Sequence, residues 1–249
     1  MSDLHPDLND DAPPHLGPPE SALAIGAHPD DAEFGAGGTL AAWAAAGTRV
    51  SLLVMTDGSK GSWDPDADPA DLANRRAAEQ HAAAKALGAV GVDFGGHVDG
   101  ELEYSMGLRA QVCRHIRMLR PQVVLSHDPW QRYQLHPDHR VTGTAAVDGV
   151  VAARDRLFFP DQGLEPHRPA ALLLWSADEP NHWEDVSGSL DQKVAALLCH
   201  ASQGGTTMGG AHLGEAERKA FEARIRERTA ETGRPVGMAA AESFRRITP

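Results

Sequence analysis

From residue 22 onward the chain alternates short apolar runs with stretches of helical periodicity. ALAIGA (22–27), RVSLLVMT (49–56), VGVDFG (90–95), QVVLSHD (122–128) and AALLLW (170–175) read as strands. Short runs of this kind, bounded by turn residues, suit strands buried on both faces. Between them, GGTLAAWAAAG (37–47, closed by Gly47), NRRAAEQHAAAKALG (74–88), LRAQVCRHIRMLR (108–120), RVTGTAAVDGVVAA (140–153) and SLDQKVAALLCHA (189–201) read as helices. This alternation predicts βαβ units around a mostly parallel sheet, an α/β fold of three layers, α/β/α. EAERKAFEARIRERTAE (215–231) interleaves both charge signs and reads as a solvated or subunit-facing helix in a C-terminal extension. With no internal repeat and no linker, residues 21–249 are expected to form a single domain.

Composition narrows the class. A chain of 249 residues with 41% hydrophobic content can bury a sizeable core. The first twenty residues hold five acids, five prolines and no Lys or Arg, the composition of a disordered tail. A formal net charge of −12 without a basic cluster argues against nucleic acid as a partner. No apolar run approaches the roughly 20 residues that cross a bilayer, and no basic-then-apolar leader opens the chain. Cys113 and Cys199 form neither a disulfide framework nor a Cys-x-x-Cys motif, so a reducing cytoplasm is the expected location.

The polar loops carry the chemistry. His-Pro-Asp occurs at residues 5, 28 and 136. The first triplet lies in the tail and follows no strand. The other two each fall between a strand and a helix, where open α/β sheets hold their ligand crevice. Either alone could merely cap a helix; together they favour a site. A zinc site takes three His or carboxylate ligands and leaves a fourth position for water or substrate. His28 and Asp31, three apart on a tight turn, could converge on one ion, and His139 could complete a His-Asp-His set. Asp30, close but not coordinated, then suits a general base, and His136 a stabiliser of developing negative charge.

AHPDDAEFGAGGTLAAW, followed in order by TDGSKG, RRAAE, DGELE, LHPDH and KVAALLCHASQ, resembles the LmbE/PIG-L family of zinc-dependent N-deacetylases over residues 22 to 203. The resemblance implies a Rossmann-like sheet, a catalytic zinc and hydrolysis of an N-acetyl group, typically on an N-acetylglucosamine-type sugar conjugate. It implies His28, Asp31 and His139 as metal ligands, Asp30 as base and His136 as electrostatic partner. Asp138 would orient a histidine of the pair, and Arg76 and Asp99 match positions that can contact the sugar. A solvated Arg and a turn-forming Asp are the plainer readings of the last two. Family members commonly self-associate, so a homo-oligomer is admitted. Where many members read HPDDE, this chain has Ala32 and then Glu33, which leaves the ligand positions untouched.

Other features are open. The same ligand set accepts iron or cobalt, and two His plus a carboxylate also serve non-haem Fe(II) oxygenases. A second Asp beside the ligand favours hydrolysis; a metal-bearing binding protein is a third reading. GAGGT (35–39) lacks the order of a phosphate loop and reads as close helix packing. Trp130, Arg132 and Tyr133 precede LHPDH, where an aromatic could stack on a pyranose or pack the loop. His200, Ser202 and Gln203 read first as cap or packing residues, His127 as a candidate for lining the crevice. GGTTMGGAHLGE (204–215) reads as a flap at the entrance.

Overall fold

The computed structural model describes residues 15–210 and 214–249. The expected tail and its His5-Pro6-Asp7 triplet therefore lie, up to residue 14, outside the described residues. Residues 15–20 differ from a free tail because their backbone finds partners. Leu16 N–H donates to Glu184 Oε1 at 2.8 Å, Glu20 N–H donates to Gln122 Oε1 at 2.8 Å, and Pro19 C=O accepts from Thr48 Oγ1 at 2.6 Å.

Among the described residues seven strands form one sheet: β1 (Ser21–Gly26), β2 (Arg49–Thr56), β3 (Gly91–His97), β4 (Val123–His127), β5 (Ala171–Trp175), β6 (His182–Asp185) and β7 (Ala241–Ile247). Their spatial order is β3-β2-β1-β4-β5-β7-β6. The first five are parallel, while β7 pairs antiparallel with both β5 and β6. Six longer helices accompany them: α1 (Asp31–Ala45), α2 (Pro69–Leu87), α3 (Met106–Leu119), α4 (Pro137–Arg154), α5 (Leu190–Leu198) and α6 (Glu215–Gly233).

Side-chain alternation along the strands divides the core into two layers. Ala22, Ala24, Val50, Leu52, Val123, Leu125, Leu173 and Trp175 face α1, α2 and α5. Leu23, Ile25, Leu53, Met55, Val124, Leu172 and Leu174 face α3 and α4. This is the three-layer α/β/α arrangement. The strand order reverses between β1 and β4, which opens a crevice at their carboxyl ends.

Three helix starts lie three or more residues earlier than the pattern suggests. α1 begins at Asp31, not Gly37, so FGAGG is helical, and its glycines are placed for close approach. A Cβ on Gly35 would stand 2.6 Å from the Trp175 indole, and one on Gly38 would stand 2.7 Å from Val186. α2 begins at Pro69, capped by Asp68, whose carboxylate accepts from the N–H groups of Ala70 and Asp71. α4 begins at Pro137, so HPDH forms its first turn.

The C-terminal extension also departs from the solvated reading. β7 is inserted in the sheet, and α6 buries a stripe of Phe221, Ile225, Thr229 and Gly233. Glu242 of β7 reaches α1: its carboxylate accepts from Gly38 N–H at 2.9 Å, Thr39 N–H at 2.8 Å and Lys193 Nζ at 2.5 Å. Lys193 also donates to Phe34 C=O at 2.8 Å.

Candidate active site

The turn from β1 into α1 takes four residues, and its backbone is unusual at Asp30, where φ is 103°. A non-glycine residue with positive φ is uncommon, though Asp tolerates it better than most. Asp30 N–H is held by Gln80 Oε1 at 3.1 Å, and Gln80 Nε2 donates in turn to Glu33 Oε1 at 2.7 Å. The turn delivers His28, Asp30 and Asp31 into the crevice, all buried.

The first turn of α4 delivers His136, Asp138 and His139 from the other side of the switch point. Three residues converge, Asp31 presenting a different carboxylate oxygen to each histidine. His28 Nδ1 lies 3.2 Å from His139 Nε2 and 3.4 Å from Asp31 Oδ2, and His139 Nε2 lies 3.3 Å from Asp31 Oδ1. Ligands at about 2.0–2.1 Å from a tetrahedral zinc stand about 3.3–3.4 Å apart, so the donor set and its spacing fit such an ion. Among the described residues the clusters able to hold a metal are His28/His136/His139, Asp31/His127/His139 and His28/Asp99/Asp138. The first two each share two residues with the His28/Asp31/His139 set and the third shares His28 alone.

Hydrogen bonds select the member atoms. His28 Nε2 lies 3.1 Å from both Asp138 Oδ2 and Asp99 Oδ1, which places the ring proton there and leaves Nδ1 facing Asp31 and His139. Asp138 is wholly buried and also accepts from Gly100 N–H at 2.7 Å. It therefore orients His28, from the other segment, rather than either neighbour in its own HPDH turn. His136 stacks on His139 at 4.8 Å and meets His28 edge-on at 4.5 Å. His127, at the end of β4, lies against the same cluster: its Nε2 is 3.1 Å from Asp31 Oδ2.

The electrostatics separate the groups. Burial opposes protonation of His28, but Asp138, Asp31 and Asp99 outweigh it and push its pKa up to about 12. Burial also disfavours the Asp31 carboxylate, yet His127 and His139 hold it well below the usual range. Asp30 goes the other way: burial, reinforced by Asp31 and opposed by Arg76, raises it to about 7. Burial and then the charges of His28 and His139 lower His136. One carboxylate is thus held ionised while its neighbour's pKa lies near neutrality.

Arg76 and Asp99 line the same cavity, of about 780 Å³. Arg76 is buried and donates to the carbonyls of Gly58 at 3.0 Å and Pro29 at 2.5 Å, with Asp30 Oδ1 3.7 Å away. It braces two loops beside Asp30. Asp99 accepts from Lys60 N–H at 3.0 Å as well as facing His28.

The residues behind Asp30 escaped the motif reading. Gln80 follows Arg76 by one helical turn on an Ala-rich helix, and that polar i, i+4 pair is the available signal. His200 is fully buried and its Nε2 stands 3.8 Å from Glu33 Oε2. Gln203 and Thr207 line the cavity, as does α6 through Arg228 and Thr232. Of the expected flap, residues 211–213 lie outside the described residues. Met208 packs with Phe221 and Ile225. Trp130 and Tyr133 are exposed on the loop before LHPDH.

The family profile described as PIG-L, GlcNAc-PI de-N-acetylase, matches residues 23–150. The diacetylchitobiose deacetylase of Thermococcus kodakarensis is 36% identical over 190 residues, covering 74% of this chain and 70% of its own. The 1D-myo-inositol 2-acetamido-2-deoxy-alpha-D-glucopyranoside deacetylase of Mycobacterium sp. (strain KMS) is 31% identical over 233 residues, covering 73% of each. Among solved structures, N,N'-diacetylchitobiose deacetylase from Pyrococcus horikoshii superposes with a TM-score of 0.83 at 29% identity, covering 92% of this chain and 84% of that one.

Proposed function

We propose that this chain, which belongs to the PIG-L (GlcNAc-PI de-N-acetylase) family, removes the acetyl group from an N-acetylglucosamine-type conjugate with the help of zinc. It is an N-deacetylase, an amide hydrolase that splits an acetamide into acetate and a free amine. The zinc dependence and the residue roles are our reading. They rest on one observation above all: the two imidazole nitrogens stand 3.2 Å apart and each lies within 3.4 Å of an Asp31 carboxylate oxygen, with a buried carboxylate beside them whose pKa lies near neutrality.

His28, Asp31 and His139 would hold the ion, which when bound supplies a Lewis acid and a more acidic water. Asp30 accepts the proton as the water oxygen adds to the carbonyl carbon, then returns it to the nitrogen as the C–N bond breaks. His136, kept neutral by burial and by nearby positive charge, donates an N–H to the developing oxyanion. Asp138 and Asp99 fix the His28 tautomer, and Arg76 braces the walls around Asp30. Asp99 therefore serves the ligand more directly than the sugar. A cavity of about 780 Å³ falls within the usual range for small-ligand sites and holds a sugar with part of its aglycone.

We assign residues 21–249 to one domain acting in the cytoplasm. Among the described residues no helix is long and apolar enough to cross a membrane, and both cysteines are free. Amine release from a panel of N-acetyl sugars, with metal content measured in parallel, tests the reading. Zinc-loaded protein releases amine and Asp30→Asn does not. No amine from any substrate, with zinc bound, favours a binding module; iron with oxygen uptake favours an oxygenase.

A further inference from the structure

We propose that Trp175 and His127 form a positioning relay that fixes both the orientation and the ligating oxygen of Asp31. The proposal rests on the metal-site reading above and goes beyond it, because it assigns work to two residues outside the HPDD and HPDH motifs.

The direction of the relay follows from one donor. An indole N–H can only donate, and Trp175 Nε1 lies 3.1 Å from His127 Nδ1. Nδ1 therefore presents a lone pair, and the proton of the neutral imidazole sits on Nε2. That atom is 3.1 Å from Asp31 Oδ2, nearer than the Ala27 N–H that also points at it from 3.4 Å. The chain of donation runs from Trp175 to His127 to Asp31, and all three residues are buried.

Two consequences follow. His127 belongs by distance to a cluster that could hold a metal with Asp31 and His139, yet this tautomer removes it from the ligand set. A neutral imidazole binding through Nε2 carries its proton on Nδ1, which would face the Trp175 N–H donor to donor. Secondly, Asp31 Oδ2 receives both His28 N–H, at 2.7 Å, and His127 Nε2–H. Oδ1 faces only His139 Nε2, at 3.3 Å, among the described residues. The relay thus reserves one oxygen for the cation.

The fold builds the relay in. His127 and Trp175 are the last residues of β4 and β5 and stand opposite one another in the parallel register. Trp175 can seat its indole against α1 only because Gly35 has no side chain, a Cβ there falling 2.6 Å from the ring. The His127 ring is held between Trp175, edge-on at 4.9 Å, and His139, stacked at 4.2 Å.

The test uses the full chain, stripped of metal by a chelator. Zinc affinity is measured by competition with a chromophoric chelator, and the visible spectrum is recorded after loading Co²⁺. Trp175→Phe keeps the ring against Gly35 and removes the donor. His127→Leu removes the N–H, and His127→Gln restores one. Removing an orienting partner of a metal ligand costs about 10–100-fold in affinity. Trp175→Phe and His127→Leu should each weaken zinc binding by a factor in that range, with an altered cobalt spectrum, while His127→Gln stays near the unmutated protein. Unchanged zinc affinity and an unchanged cobalt spectrum in Trp175→Phe overturn the relay. His127→Gln binding as weakly as His127→Leu also overturns it, because ring bulk and not the N–H would then matter. Both failures leave the unmutated protein binding zinc; if that protein takes up no zinc, the metal-site reading falls and the relay with it.

Discussion

Asp138 and His28, from segments 110 residues apart in the chain, meet in a buried 3.1 Å contact between Oδ2 and Nε2. This contact decides which histidine nitrogen faces the crevice. Asp138→Asn substitutes an amide that can present its NH₂ to Nε2 and release the tautomer. Zinc affinity should fall by about 10–100-fold, read by calorimetric titration of the apo protein. An unchanged affinity would show that Asp99 suffices alone.

Asp30 is assigned to proton transfer and not to the ion. Asp30→Asn should therefore lower kcat by about 10²–10⁴-fold while zinc stoichiometry stays constant. Asn also tolerates the left-handed backbone at this position, so the fold should persist. Elemental analysis beside the amine assay checks both, and zinc lost together with activity would reassign Asp30 as a ligand.

The raised pKa of Asp30 has a definite sign. Its folded value of about 7 exceeds the ordinary 3.8, so between those limits the folded apo protein holds a proton that the unfolded chain has released. The stabilising contribution is full below the ordinary value and is lost as pH rises through about 7. Asp30→Asn should then raise the melting temperature of the apo protein more at pH 8 than at pH 5. Zinc, a dication nearby, favours the carboxylate and should move the Asp30 midpoint, followed by ¹³C NMR, to lower pH. A midpoint that zinc leaves in place would place the ion elsewhere.

Gly35→Ala sets a methyl group against the Trp175 indole. Overpacking of this kind costs about 1–3 kcal/mol, partly offset by about 1 kcal/mol of helix propensity. The melting temperature should fall, and Gly38→Ala, against Val186, should behave alike. Equal or higher stability in both would mean that α1 can shift without cost.

Glu242→Gln leaves the buried Lys193 ammonium without its carboxylate. Breaking one side of such a pair costs about 3–5 kcal/mol. Guanidinium denaturation should show a lowered midpoint, and a change below 1 kcal/mol would show that water reaches Lys193.

Most of the parallel half of the sheet was legible because β1, β2, β4 and β5 are largely apolar runs, whereas β3, GVDFGGH, is mixed and lies mostly exposed at the sheet edge. β6 and β7 were not legible, since HWED and AESFRRI mix charges into short strands whose pairing partners are distant in sequence. The charged reading of α6 missed its buried stripe, spaced four residues apart from Phe221 to Gly233. The starts of α1, α2 and α4 were set too late because Gly and Pro look like breakers. In α1 the glycines admit Trp175 and Val186, and in α2 and α4 Pro sits where no N–H is needed. HPDD and HPDH marked the centre of the site through position alone. Gln80, Glu33 and His200 stand behind it: His200 read first as a cap or packing residue, and the i, i+4 spacing of Gln80 from Arg76 is a weak signal. The Trp175 contribution was hidden inside a strand reading, where an aromatic already had a reason to be apolar.

The placement of β7 constrains how the protein is made. Synthesis proceeds from the N-terminus, and the early βαβ units can assemble as they leave the ribosome. Yet the strand joining β5 to β6 emerges after the other six, and it carries the Glu242 carboxylate that grips α1 from across the sheet. Until that strand docks, the helix bearing Asp31 lacks its rear anchor, so a nascent or C-terminally truncated chain is predicted to be a poor zinc acceptor.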